Sequence, residues 1–187
     1  FYFLKNNGIK EIIYGNPSKV TYKVILLAKN GVGTKTSFIN AYTNKTFEEN
    51  CNRTAGCSYC TTKIDLKNGN KLTLDFWDTA EYKGQDKLYE FFLKDSDVVL
   101  LGYYVTNKVS FDDIKDYWYP LSKRISGKAL IYLLGNKIDL FEYIEVVENE
   151  VIKFTKENDI RFFKISCKTF AGIQTFIDDL TNELIKR

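Results

Sequence analysis

The chain contains no methionine and no histidine, only 2 prolines and 4 cysteines, and no apolar run long enough to span a bilayer. Each scarcity excludes something. Cys51, Cys57 and Cys60 lie close together and Cys167 far away. A zinc site on the first three wants a fourth ligand, and histidine supplies none. Cys57-Ser58-Tyr59-Cys60 therefore reads as a metal or redox pair, or more plainly as small residues of a strand and loop. A secreted disulfide framework would be denser, so the thiols read as reduced and the protein as cytoplasmic. Net charge is +3, too little for the basic stripe that a nucleic-acid partner would require. With 2 prolines and no repeats, nothing splits the chain, and 187 residues suit one domain with a real core. Phe1 in place of methionine reads as a fragment or a processed or trimmed chain. Phe1-Tyr2-Phe3-Leu4 is too short for a signal-peptide core.

What is present is an alternation of element types. Hydrophobic residues at 44% and charged residues at 27% make a globular balance. Residues 1–20 are polar around one apolar patch, Ile12-Ile13-Tyr14, and read as an extension or linker ahead of a domain spanning 21–187. Short apolar runs at 24–27, 98–101 and 129–134 read as strands buried on both faces, with another at 161–165. Residues 59–65 and 72–77 alternate around Lys67-Asn68-Gly69-Asn70, a hairpin. Helices are expected at 35–42, from Ser110 with Asp113 as its capping-box acid, at 145–158 and at 171–186. The pattern predicts an α/β fold: a six-stranded, mostly parallel sheet flanked by helices. Ligands of such sheets sit beyond the carboxyl ends of the strands, where every motif below falls.

The first motif is Ala28-Lys29-Asn30-Gly31-Val32-Gly33-Thr34-Lys35-Thr36-Ser37. It is close to the phosphate-binding pattern G-x-x-x-x-G-K-[ST], but Ala28 stands for the first glycine and Thr34 separates Gly33 from Lys35. Such a loop holds phosphate through successive backbone N–H groups and a helix N-terminus. Gly31, Val32 and Gly33 can keep that curve. The second motif is Asn136-Lys137-Ile138-Asp139. The Asp139 carboxylate offers two adjacent acceptors, which match the paired donors on one edge of guanine. Adenine would leave one of those oxygens unpaired, at a cost of about 1–3 kcal/mol. Lys137 can lay its stem along the base, and Asn136 can tie loops together. After the next strand come Ser166-Cys167-Lys168, whose backbone N–H groups near Cys167 and Lys168 could meet the guanine carbonyl.

On these residues the chain resembles a Ras-superfamily small GTPase from about residue 22 to 186. Phe47 and Thr54 resemble the two ends of that family's first switch, and Thr54-Ala55-Gly56 the Rab-type T-x-G. Trp77-Asp78-Thr79-Ala80 is similar to the second-switch motif WDTAG. Val105-Thr106-Asn107 with Ser110-Phe111, and Trp118-Tyr119-Pro120, resemble Rab and Rho proteins, although the helix inserted in Rho proteins is absent after Asp139. The resemblance implies a divergent Rab-like or Rho-like P-loop G domain that binds GDP or GTP with Mg2+. Gly31, Val32, Gly33, Lys35, Thr36, Ser37, Phe47, Thr54, Asn136, Lys137, Asp139, Ser166, Cys167 and Lys168 would surround the nucleotide. Thr36, Thr54 and Asp78 would serve the metal. Effector and regulator proteins would read the two switch regions, in membrane traffic or cytoskeletal signalling. Such proteins usually end in prenylated cysteines, whereas no cysteine follows Cys167. Membrane association is thus not encoded in these residues, and peripheral attachment would need a lipidated tail.

The loop admits two registers. Thr34 either replaces the lysine or is an insertion that leaves Lys35 to the β- and γ-phosphates and Thr36 to Mg2+. The interval from Lys35 to Thr54 matches the family's usual one, which favours the insertion. The extra residue would weaken binding or tilt it toward GDP, since a lost charge-assisted hydrogen bond costs roughly 1.5–3 kcal/mol. In the second switch, Glu81 and Tyr82 stand where the family has Gly and Gln. A displaced Gly84-Gln85 follows, but the interval from Asp78 to Asn136 already matches without a gap. No catalytic residue is assigned, because Tyr82 cannot orient water as an amide does and Glu81 would repel a γ-phosphate. The alternatives to a slow switch are a pseudo-GTPase scaffold and an unrelated adenine-nucleotide enzyme. Tyr103-Tyr104, Phe91-Phe92, Phe162-Phe163 and Trp118 read as packing residues. Replacing Glu81→Gly with Tyr82→Gln is expected to accelerate single-turnover phosphate release from GTP. An unmodified chain already hydrolysing at the family's ordinary intrinsic rate would contradict this.

Overall fold

The computed structural model describes residues 20–29, 34–49, 57–80 and 85–187. Six strands form one sheet: β1 Thr21–Ala28, β2 Cys57–Asp65, β3 Lys71–Thr79, β4 Val98–Tyr104, β5 Leu130–Asn136 and β6 Arg161–Lys164. Their order is β2-β3-β1-β4-β5-β6. Only β2 runs antiparallel, against β3; β1 is parallel to β3 and β4, and β5 to β4 and β6. The expected α/β class, strand number and antiparallel edge are all found. The hairpin closes as the sequence suggests. Gly69 takes φ +83, and the Leu66 N–H donates to the Asn70 carbonyl.

The central strands carry apolar side chains at consecutive positions because helices cover both faces. On β1, Val24 and Leu26 join one core layer, with Phe38 of helix α1 (Thr34–Thr43) and Phe176, Leu180 and Leu184 of helix α6 (Ile173–Ile185). Ile25 and Leu27 point the other way. They meet Tyr89 and Leu93 of α2 (Asp86–Leu93), Phe111 of α3 (Lys108–Asp113), Leu121 of α4 (Tyr119–Ile125) and Val151 of α5 (Glu148–Glu157). A π-helical turn over Ile114–Trp118 joins α3 to α4, with the Trp118 ring buried beneath.

Some expectations need correction. The helix expected from Ser110 starts at Lys108, because Asn107 caps it: its Oδ1 accepts the Ser110 N–H at 2.8 Å. Ser110 is buried inside, where its hydroxyl donates to the Asn107 carbonyl at 2.7 Å. The helix expected from 145 starts at Glu148, since the Glu145 and Val146 N–H groups donate to the Val105 carbonyl instead. Helix α2 had no counterpart in the sequence reading. Phe91, taken for a packing residue, is 68% exposed while its neighbour Phe92 is 8% exposed. Adjacent residues on a helix point about 100° apart, so one ring faces in and the other out.

Among the described glycines, the one in the turn between β6 and α6 has the least room. Gly172 has φ +74, and a Cβ there would lie 2.2 Å from the Lys164 carbonyl oxygen. Gly172→Ala is expected to lower unfolding stability by at least ~1–2 kcal/mol from backbone strain alone. Urea denaturation reads this as a shifted midpoint; an unchanged midpoint would mean that the turn accepts a side chain.

Candidate functional site

One end of the site is built by two loops, after β5 and after β6, that are laced together. The Asn136 side chain is buried, and its Oδ1 accepts the Lys137 N–H at 2.7 Å and the Cys167 N–H at 3.1 Å. Ser166 Oγ donates to the Asp139 carboxylate at 2.5 Å and accepts the Thr169 N–H at 3.0 Å. The Ile138 N–H donates to the Ile165 carbonyl at 3.3 Å. Lys137 takes φ +71 at the bend, and its ammonium lies 4.4 Å from the centre of the Tyr104 ring. Burial holds the Lys137 ammonium below its ordinary pKa, with Asp139 opposing.

These loops form one wall of a cleft of about 130 Å³. Asn136, Lys137, Asp139, Leu140, Cys167 and Lys168 line that wall; Ser37, Phe47, Glu48 and Glu49 line the other. Phe47 also rests against the α1–α6 core layer. The exposed Lys168 ammonium pairs with Glu49 at 2.9 Å across the mouth. The hydrogen bond from Lys168 holds the Glu49 carboxyl below its usual range, and Glu49 raises Lys168. The cleft thus offers an aromatic ring and carboxylates to a flat polar ligand.

The second end lies where β1 and β3 finish side by side, with Leu26 opposite Asp78. Helix α1 starts here at Thr34, and a helix leaves the N–H groups of its first turn without intrahelical acceptors. Lys35 is 8% exposed, and its Nζ donates to the Ala28 carbonyl at 3.1 Å, closing the base of the loop. The Thr36 hydroxyl donates to the Asp78 carboxylate at 2.5 Å. A hydroxyl and a carboxylate so placed are hard oxygen donors of the kind Mg2+ takes.

Of the residues singled out in the sequence, Ser37, Phe47, Asn136, Lys137, Asp139, Cys167 and Lys168 share the cleft. Ser166 is tied to Asp139, and Lys35, Thr36 and Asp78 meet at the other end. Gly31, Val32, Gly33, Thr54, Glu81, Tyr82, Cys51 and residues 1–19 lie outside the described residues. One detail differs: the Cys167 N–H, expected to meet a guanine carbonyl, is here given to Asn136. Sequence reasoning missed Glu48, Glu49 and Leu140, which line the cleft. Leu140 adjoins Asp139 and was within reach, but the Glu49–Lys168 pair spans 119 residues and leaves no sequence signal. Cys57 and Cys60 sit on β2 with alternating exposure, so their sulfurs face opposite sides. Burial and the nearby Asp78 raise the Cys57 thiol pKa. Among the described residues no cluster of three or more His, Cys, Asp or Glu could hold a metal.

A family model described as the Ras family matches residues 23–186. The chain belongs to the Ras family. It is similar to Ras-related protein Rab-12 of Homo sapiens, 28% identical over 172 residues, which cover 91% of this chain and 70% of the relative. It is also similar to Ras-related protein Rab-30 of Homo sapiens, 27% identical over 164 residues, covering 88% and 80% of the two chains. Ras-related protein Rab-17 of Mus musculus is 30% identical over 181 residues, covering 96% and 83%. This Ras-family chain is accordingly a Rab-like small GTPase, a nucleotide-binding switch by family. The guanine nucleotide and Mg2+ that the family implies fit the residues present: an aromatic-walled cleft with Asp139 at one end, and Lys35, Thr36 and Asp78 at the other. Asn136→Ala removes a buried oxygen that accepts two backbone N–H groups. It is expected to cost about 1–3 kcal/mol of unfolding free energy. Chemical denaturation checks this, and a loss below ~0.5 kcal/mol would show that water replaces the side chain there.

Proposed function

We propose that this chain cycles between GDP and GTP with Mg2+, hydrolyses GTP slowly, and presents its two switch regions to effector and regulator proteins. The observation that carries the reading is the lacing of Asn136 to Cys167 and of Ser166 to Asp139 around a cleft faced by Phe47. Asp139 reads the guanine edge with its Oδ2 and the lone pair of Oδ1 left beside its bond to Ser166. The Cys167 N–H, now given to Asn136, is shared with or passed to the guanine carbonyl. Lys137 flanks the base and Lys168 closes its mouth.

At the phosphate end, Lys35 exchanges the Ala28 carbonyl for phosphate oxygens. The amides of Gly31, Val32 and Gly33, followed by those of Lys35, Thr36 and Ser37, surround them. Thr36, Thr54 and Asp78 hold Mg2+, which when bound offsets the phosphate charge. This machinery belongs to residues 21–187, with 1–20 as an extension. The site of action is the cytoplasm, peripheral to membranes when a tail is lipidated, in membrane traffic or cytoskeletal signalling. Among the described residues no helix is long and apolar enough to cross a membrane.

Slow hydrolysis rests on Glu81 and Tyr82. The same two residues favour a second reading, a scaffold that holds nucleotide without turning it over. A partner that binds the GDP and GTP forms equally would support the scaffold. The base assignment has a direct test. Asp139→Asn turns one of two acceptors into a donor, which matches xanthine, whose C2 carries an oxygen where guanine has NH₂. Preference is expected to shift from GTP toward XTP by 100-fold or more, on the order of 3 kcal/mol. Equal affinities of the variant for the two nucleotides would remove Asp139 from the base site.

A further inference from the structure

One ionic contact joins the two walls of the cleft. Lys168 Nζ donates to Glu49 Oε1 at 2.9 Å, and the two residues are 119 positions apart in the chain. Both line the cleft. The walls are held differently. On the Lys168 side, the Cys167 N–H is tied to Asn136, the Ser166 hydroxyl to Asp139 and the Thr169 N–H to Ser166. On the other side the chain leaves α1 through Lys45, at φ +53, and the partly buried Phe47 rests against the core. Glu49 then reaches across the opening to Lys168.

Neither folding stability nor attraction to a ligand explains a carboxylate there. The Lys168 and Glu49 side chains are 52% and 75% exposed, and water screens such pairs so well that they add little to folding. Glu48 and Glu49 stand together on one wall of a cleft read as the seat of an anionic nucleotide, and like charges repel. Lys168 offsets Glu49 directly. Its hydrogen bond keeps the Glu49 carboxyl below its usual pKa, and Glu49 raises Lys168, so both are charged at neutral pH. The position of the pair gives it another use. A pair across the mouth must part when a ligand that fills the cleft leaves, so it acts on the rate of leaving even where it adds nothing to folding.

We infer that Glu49 and Lys168 form a clasp over the cleft that slows the release of bound guanine nucleotide, and that Glu49 is a nucleotide-retaining residue of this chain. The clasp rests on the nucleotide-binding reading above and adds a means of regulation to it. Because both charges face water, dissolved ions loosen it, and release quickens as ionic strength rises. A regulator that offers its own cation to Glu49, or its own carboxylate to Lys168, opens the clasp in the same way.

The test is the rate of release. The protein is loaded with a fluorescent GDP analogue and Mg2+, then chased with excess GDP. At low salt, Glu49→Gln is expected to release the analogue about two to five times faster than wild type, the range that an exposed ion pair supports. In a Lys168→Gln background the same substitution should change the rate little, since the partner is already gone. Raising KCl should narrow the gap between wild type and Glu49→Gln. The melting temperature of nucleotide-free Glu49→Gln should equal that of wild type. Equal release by wild type and Glu49→Gln at low salt overturns the clasp alone. So does an acceleration just as large without Lys168, or a gap that stays full at high salt. A lowered melting temperature overturns it too, by showing that the pair holds the fold. If wild-type protein retains no GDP analogue, the nucleotide reading fails first and takes the clasp with it.

Discussion

The arrangement depends most on one buried oxygen. Asn136 Oδ1 accepts an N–H from its own loop and another from Cys167, 31 residues away. An amide oxygen with two lone pairs can serve both, where an apolar side chain would leave two buried donors unmet. The bond holds the β5 and β6 loops at fixed separation, so Ser166 can reach Asp139 and the carboxylate is oriented before any ligand arrives. Orientation held in advance costs nothing at the moment of binding, which is why such sites favour rigid loop crosslinks over mobile side chains.

The opposite end is organised by charge instead. A lysine that is 8% exposed is unfavourable unless its ammonium finds oxygen, and Lys35 finds the Ala28 carbonyl across the loop. Thr36 and Asp78 are held together in the same way, by a hydroxyl donated to a carboxylate. Both are provisional pairings that a phosphate and a divalent cation would improve on. The two ends lie on one sheet: Lys35 follows β1 and Asp78 lies on β3, β5 and β6 carry the laced loops, and β4 lies between β1 and β5. The sheet thus sets the distance between Asp139 and Lys35.

Much of this was legible. Runs such as Val98-Val99-Leu100-Leu101 announce strands covered on both faces, and Asn68-Gly69 announces the hairpin, because burial and turn geometry leave few other uses for those residues. Asp139 stood out because a carboxylate after Asn136-Lys137 matches the paired donors of one guanine edge, and Lys35 because it ends a near match to the phosphate-loop pattern. Helix α2 was not legible. Its pattern, with Tyr89, Phe92 and Leu93 buried, covers only two turns and adjoins an atypical second switch. The start of α3 was misread because serine and asparagine both cap helices, and only the depth of Ser110 decides between them.

By itself the sequence determined which apolar runs become strands, the turn chemistry and the identities of the groups that can face a nucleotide, since these follow from residue type and spacing. Only the tertiary structure decided that Thr34 packs against Gly102. Nothing in Gly33-Thr34-Lys35 says that a strand 68 residues later lacks a side chain at the matching point. Nor does the sequence say that Lys168 meets Glu49, or that one asparagine oxygen ties two loops. Those are contacts between segments far apart in the chain, and they exist only after the sheet has brought strand ends together, where shape and unmet hydrogen-bonding groups, rather than local preference, choose the partners.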